Sequence, residues 1–148
     1  MSTFGRDLIW VIPSDVSEIG GIVDAVLERC SRCPADPGKL RLNLRVGLTE
    51  ALANAVVRGN GKDPAKRVRV EVHLGYRGIT ARVTDEGLGF DPDEVPDPTQ
   101  GERLHAPHGR GLFLMRRLLD EVSFNERGNS VTLKLRYDTL PAPRGARA

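Results

Sequence analysis

The sequence predicts an α+β fold, a two-layer α/β sandwich with helices on one face of a mixed, mostly antiparallel sheet. Three observations carry that prediction. Residues 67–74 (RVRVEVHL) alternate strictly between polar and apolar, the mark of a strand with one buried face. Residues 48–57 (LTEALANAVV) hold seven Ala, Val or Leu in ten, so they form a helix that is apolar over almost its whole circumference and belongs inside. The elements run β-α-α-β-β-loop-α-β-β, in blocks rather than as regular β-α units, and such blocks pack as layers.

The elements follow in order. Residues 7–12 (DLIWVI) are rich in strand formers and stop at Pro13. Ser14 and Asp15 can cap the next helix, with Glu18 three residues after Asp15. Ile19, Ile22, Val23, Val26 and Leu27 recur at helical spacing, which gives helix one over residues 16–32. A turn with two prolines occupies 34–38, and helix two runs over 39–58 until Gly59-Asn60-Gly61 ends it. Residues 67–74 and 79–84 form a hairpin around Gly75-Tyr76-Arg77-Gly78. A stretch poor in secondary-structure signal, with four prolines, covers 92–108; loops of that length in a compact domain are usually functional or disordered. Gly109-Arg110-Gly111 opens helix three, with Leu112, Met115 and Leu119 facing inward. A last hairpin joins 122–125 to 130–136.

At 148 residues the chain is expected to hold one domain, residues 1–140, with a disordered tail at 141–148 (PAPRGARA). A net charge of +2, without a dense Lys/Arg stripe carrying aromatics, argues against direct nucleic-acid binding. No run approaches about 18 apolar residues, so no membrane span is expected. The short apolar run after Arg6 and Asp7 does not make a signal peptide, which points to a cytoplasmic protein. Cys30 and Cys33 form a lone C-x-x-C. A structural zinc site usually needs four ligands, and His73, His105 and His108 lie far along the chain, so two free thiols near a helix end are expected.

Three constellations carry chemistry. Glu50 and Asn54 lie four residues apart on one helical face, and buried polar groups need partners. A carboxamide oxygen suits Mg²⁺, and a carboxylate beside it can deprotonate a nucleophile. Asp85-x-Gly87-x-Gly89 places an acceptor at a strand end, followed by glycines that admit a close ligand, and the carboxylate could accept from an exocyclic amine. Gly109-Arg110-Gly111-Leu112 brings backbone N–H groups and a cation to a helix start, which suits phosphate. Each alone also has a plain structural reading: a satisfied core pair, an Asp-Gly turn, a glycine-rich helix start. Neither the P-loop nor the dinucleotide-binding glycine pattern is present.

Together and in this order the three resemble the boxes of the ATPase superfamily shared by gyrase and the histidine kinases, whose histidine kinase-like ATPase (Bergerat) fold is a two-layer sandwich. Glu50-x-x-x-Asn54 looks like the N box, and the two glycine motifs look like its glycine boxes. The phrases EALANAV, VTDEGLGFDP and GRGLFLMRRLLDEV resemble most the serine-protein kinases that act as bacterial anti-sigma factors, with similarity over residues 8–136. The resemblance implies ATP and Mg²⁺ as cofactors. Asn54 would coordinate Mg²⁺, Glu50 would act as general base, and Asp85 would bind the adenine amine with Gly87 and Gly89 admitting the base. Gly109, Arg110, Gly111 and Leu112 would hold phosphates, and 92–108 would be the ATP lid. It also implies a sigma factor and an anti-sigma-factor antagonist as partners in a partner-switching system, and a homodimer. The chain departs from that family at Arg58, where a histidine often follows the N-box asparagine by four residues. Arg58 shares the helical face of Glu50 and Asn54, so it can reach nucleotide phosphate or pair with Glu50 and weaken it as a base. That leaves open a nucleotide-binding module of the same fold without kinase activity. With no phosphoacceptor helical hairpin before the domain, a self-phosphorylating histidine kinase is not expected.

Overall fold

The computed structural model describes residues 6–89 and 107–137. Strand β1 (Arg6–Pro13) leads through a 3₁₀ turn (Val16–Glu18) into α1 (Ile19–Cys30). Helix α2 is continuous over residues 37–59, and β2 (Arg67–Leu74) and β3 (Gly78–Thr84) follow. Helix α3 (Pro107–Leu118), β4 (Glu121–Phe124) and β5 (Ser130–Arg136) complete the described chain. The expected lid, 92–108, lies outside the described residues except for its last two, which belong to α3. The expected tail, 141–148, lies outside them altogether.

Among the described residues the sheet has five strands in the order β1-β2-β3-β5-β4, and all four pairings are antiparallel. The expected mixed sheet is therefore corrected to an antiparallel one. Two helical passes separate β1 from β2, where a single crossover helix would have set them parallel. Hairpins join β2 to β3 and β4 to β5, with Gly75 N–H bonded to Gly78 O at 3.0 Å in the first turn.

One face of the sheet is dry. Val68, Val70, Val72 and Leu74 of β2, Ile79, Ala81 and Val83 of β3, and Leu133 and Leu135 of β5 are all buried. Against them pack Val23 and Val26 of α1, Leu44, Leu48, Leu52 and Val56 of α2, and Met115 of α3. Each Val, Leu, Ile or Met among them stabilises the fold by about 1.5–3 kcal/mol when fully buried. The opposite face carries Arg69, Glu71, His73, Arg82 and Lys134, so the alternation of β2 is the alternation of the two layers.

Two local expectations need correction. Asp15 alone caps the first turn, accepting from Ser17 N–H at 2.9 Å, while Ser14 is turned inward and buried. Helix α2 is not dry all round either, since Val57 is 40% exposed. The helix changes from α-helical Arg45–Ala53 to π-helical Asn54–Gly59. Nine residues, two and a half helical turns, separate Leu48 from Val57, so ordinary helical spacing sets residue 57 opposite the buried stripe.

Candidate functional site

The α2 face bearing Glu50 and Asn54 meets the beginning of α3. A β-carbon at Gly111 would stand 2.8 Å from Glu50 Oε2 and 3.7 Å from Asn54 Nδ2. The N-terminal turns of α3 and the polar pair of α2 are thus one constellation, although 57 residues separate Asn54 from Gly111 in the chain. The π-helical segment begins at Asn54 itself, and such wide turns recur at functional sites. Among the described residues no ion pair joins Arg58 to Glu50, so the pairing raised by the sequence is absent from this arrangement.

Beyond Asn54 a cleft of about 660 Å³ opens between α2, α3 and one end of the sheet. Asn54, Arg58, Asp85, Gly87, Gly89 and Leu112 all line it. Its apolar wall comes from Val83, Met115, Phe124 and Val131. A cavity of that size, apolar with a few convergent polar groups, matches a small-molecule site. Glu50 does not line the cleft; it stands one helical turn before Asn54, half-buried beside Gly111. Gly109 and Arg110 fall in the first turn of α3, which begins at Pro107.

The Asp85 loop is held at each residue. Asp85 N–H bonds Asn129 O at 2.9 Å, and Asn129 Nδ2 returns a bond to Asp85 O at 3.1 Å. Glu86 N–H donates to Asn60 Oδ1 at 2.8 Å, and the Glu86 carboxylate accepts the Arg67 N–H. Gly87 N–H donates to Asp85 Oδ1 at 2.8 Å, and Gly87 O accepts from Arg127 Nη2 at 3.4 Å. Burial raises the Asp85 carboxyl above the ordinary carboxylate range, while the Gly87 N–H and the charges of Arg127 and Lys66 act against that rise. Two cations beside a desolvated carboxylate help to keep it an acceptor.

The expected reason for the glycines needs refinement. A β-carbon at Gly87 would collide with the carbonyl of Gly59, at the end of α2. Gly87 is therefore required by the contact between this loop and the helix, independently of any ligand. Gly89 has φ +85° at the mouth of the cleft.

Sequence reasoning did not single out Asn60, Lys66, Arg127 or Asn129. Asn60 read as a helix stop, and Arg127 and Asn129 read as hairpin-turn residues. The one available signal was the density of asparagine in 125–129. Asn125 Oδ1 accepts the N–H groups of Gly128, Asn129 and Ser130, and this fixes the turn that presents Asn129 to Asp85.

Cys30 and Cys33 are free and buried, away from the residues that line the cleft. Among the described residues there is no cluster of three or more metal-ligating side chains, and no helix is long and apolar enough to cross a membrane.

Residues 9–135 match the family described as histidine kinase-like ATPase domain. Two curated proteins are similar at modest identity. One is the Serine-protein kinase RsbW of Listeria innocua, 29% identical over 101 residues, covering 62% of this chain and 62% of that protein. The other is the Serine/threonine-protein kinase BtrW of Bordetella bronchiseptica, 26% identical over 105 residues, covering 70% of this chain and 74% of that protein.

Proposed function

Because the chain belongs to the histidine kinase-like ATPase domain family, we propose that its cleft binds ATP with Mg²⁺ and that the protein transfers the terminal phosphoryl group to a serine or threonine. The protein substrate would be an anti-sigma-factor antagonist, and the kinase would sequester a sigma factor until the partners switch. The observation that carries this reading is the convergence of Asn54, Arg58, Asp85 and Leu112 on one cleft, with Glu50 a turn behind.

The side chains present fit such a ligand. Mg²⁺ on a nucleotide needs few protein ligands because phosphate oxygens and water supply the rest, and the Asn54 carboxamide oxygen is a suitable one. Bound Mg²⁺ would neutralise phosphate charge. Asp85 would accept the exocyclic amine of adenine while Val83, Met115, Phe124 and Val131 cover the ring. Arg58 and the backbone of residues 109–112 would face the phosphates. Glu50 would take the proton of the acceptor hydroxyl as its oxygen bonds phosphorus and ADP leaves. Such transfer asks mainly for positioning and charge neutralisation. The protein would act in the cytoplasm as a homodimer.

Calorimetric titration with Mg-ATP tests the site. The wild-type chain should bind saturably, and Asp85→Asn should lose at least about tenfold, since a hydrogen bond to a charged group contributes about 1.5–3 kcal/mol. No binding to the wild type overturns the reading. A second reading, a nucleotide-binding regulator that transfers nothing, is favoured by Arg58 lining the cleft. The two separate by mass spectrometry of the antagonist after incubation with ATP. Phosphoserine or phosphothreonine that is lost in Glu50→Ala supports the kinase. None, in wild type and Arg58→His alike, supports the silent binder.

A further inference from the structure

We propose that Asn60 is a positioning residue of the nucleotide site, acting through the Asp85 loop; this rests on the nucleotide reading above. Asn60 is only 2% exposed, and its carboxamide makes three bonds to three separate stretches of chain. Nδ2 donates to Ser14 Oγ at 2.8 Å and to Arg67 O at 2.9 Å, and Oδ1 accepts Glu86 N–H at 2.8 Å. Ser14 Oγ in turn donates to Lys66 O at 2.7 Å. The end of β1, the start of β2 and the loop after β3 are therefore tied to the residue that follows α2.

The turn itself does not call for asparagine. Asn60 has φ −93°, open to any residue, whereas the left-handed positions here are Gly61 at +60° and Lys62 at +57°. What this position uses is the carboxamide, whose three partners, Ser14 Oγ, Arg67 O and Glu86 N–H, an apolar residue of similar size would leave unmatched. Its acceptor holds the N–H of the Asp85–Glu86 peptide, whose carbonyl accepts from Asn129 Nδ2. The next peptide's N–H, on Gly87, occupies Asp85 Oδ1, so the direction in which Asp85 offers its remaining lone pairs depends on how the peptide that Asn60 holds sets the turn into Gly87. Asn60 touches no ligand in this scheme. It sets the aim of the carboxylate that reads the base.

The test is therefore discrimination as well as affinity. ATP carries an amine where ITP carries an oxo group, and only the amine can donate to Asp85. Mg-ATP and Mg-ITP are titrated calorimetrically against wild type, Asn60→Ala and Ser14→Ala, well below each melting temperature. The wild type should prefer ATP. Asn60→Ala should narrow the ATP-to-ITP affinity ratio by about tenfold, the order expected for one lost positioning hydrogen bond. Ser14→Ala breaks the same buried network without touching the Glu86 bond, so it should melt lower and keep the wild-type ratio. An Asn60→Ala ratio equal to that of the wild type overturns the inference and leaves the nucleotide site standing. A wild type that binds neither nucleotide overturns both. If Asn60→Ala does not fold, amide exchange of the wild type by NMR decides. Glu86 N–H should exchange slowly in the free protein and more slowly with ATP than with ITP. Unprotected exchange with ATP bound overturns the inference.

Discussion

A β-carbon at position 111 would lie 2.8 Å from Oε2 of Glu50, so α3 approaches the polar face of α2 as closely as a glycine permits. The clash that Gly111→Ala creates is with the far end of a flexible side chain, which can swing aside. Alanine also favours a helix interior over glycine by up to about 1 kcal/mol. The variant is expected to melt within a few degrees of the wild type, or above it. On the proposed kinase reading its phosphoryl transfer should fall at least about tenfold, because a displaced Glu50 would lose alignment with the acceptor hydroxyl. Nucleotide affinity measured in parallel should change much less.

Gly87→Ala should behave in the opposite way. The added carbon would meet the carbonyl of Gly59, a backbone atom with nowhere to go, so the loop or the end of α2 must move. Overpacking of this kind typically costs about 1–3 kcal/mol. The expected result is a lower urea midpoint together with weakened Mg-ATP binding. A wild-type midpoint would mean that the two stretches separate without cost.

The contrast between these glycines shows what was legible in the sequence. Strict alternation in β2 and the apolar density of α2 are local patterns, and they placed the layers and the buried face correctly. Glu50 and Asn54 read as neighbours because helical spacing puts them on one face. What stayed hidden was everything set by approach between distant segments. Gly59 and Gly87 meet across 28 residues of chain, and neither position says alone that it needs the other. Asn60 looked like punctuation because its partners, Ser14 and Glu86, lie 46 and 26 residues away. The expected mixed sheet failed for a similar reason, since strand direction depends on how often the intervening chain turns back.

Cys30 is expected to be inert in the folded protein. Burial, and then the neighbouring Cys33, push the Cys30 thiol up to about 12. The thiolate is the reactive form, and at pH 8 it would be roughly one part in ten thousand of a thiol with that value. A disulfide-exchange reagent should therefore modify Cys30 no faster than the protein unfolds, with the rate rising in step with urea. Rapid labelling of Cys30 in native buffer, with no loss of structure, would contradict that.

Asp85 brings function and stability into conflict. Its carboxyl is raised above the ordinary value of 3.8, first by burial, with the Gly87 bond, Arg127 and Lys66 opposing. A group that holds its proton more tightly when folded supports the fold below the unfolded value, and that support is lost as pH rises through the folded value. At neutral pH the ionised carboxylate therefore weakens the fold it serves. Asn can still accept the Gly87 N–H through its amide oxygen, without the cost of a desolvated charge. Asp85→Asn is accordingly expected to melt above the wild type at about pH 7, with the gap closing as the pH falls below about 3, where both side chains are neutral. On the proposed nucleotide reading the same variant should bind ATP at least about tenfold more weakly, because its amide would present donors where the adenine amine wants a negative acceptor. Thermal melts across that pH range, beside the ATP titration, check both halves. A variant less stable than the wild type at neutral pH would show that the two cations outweigh burial at this carboxylate.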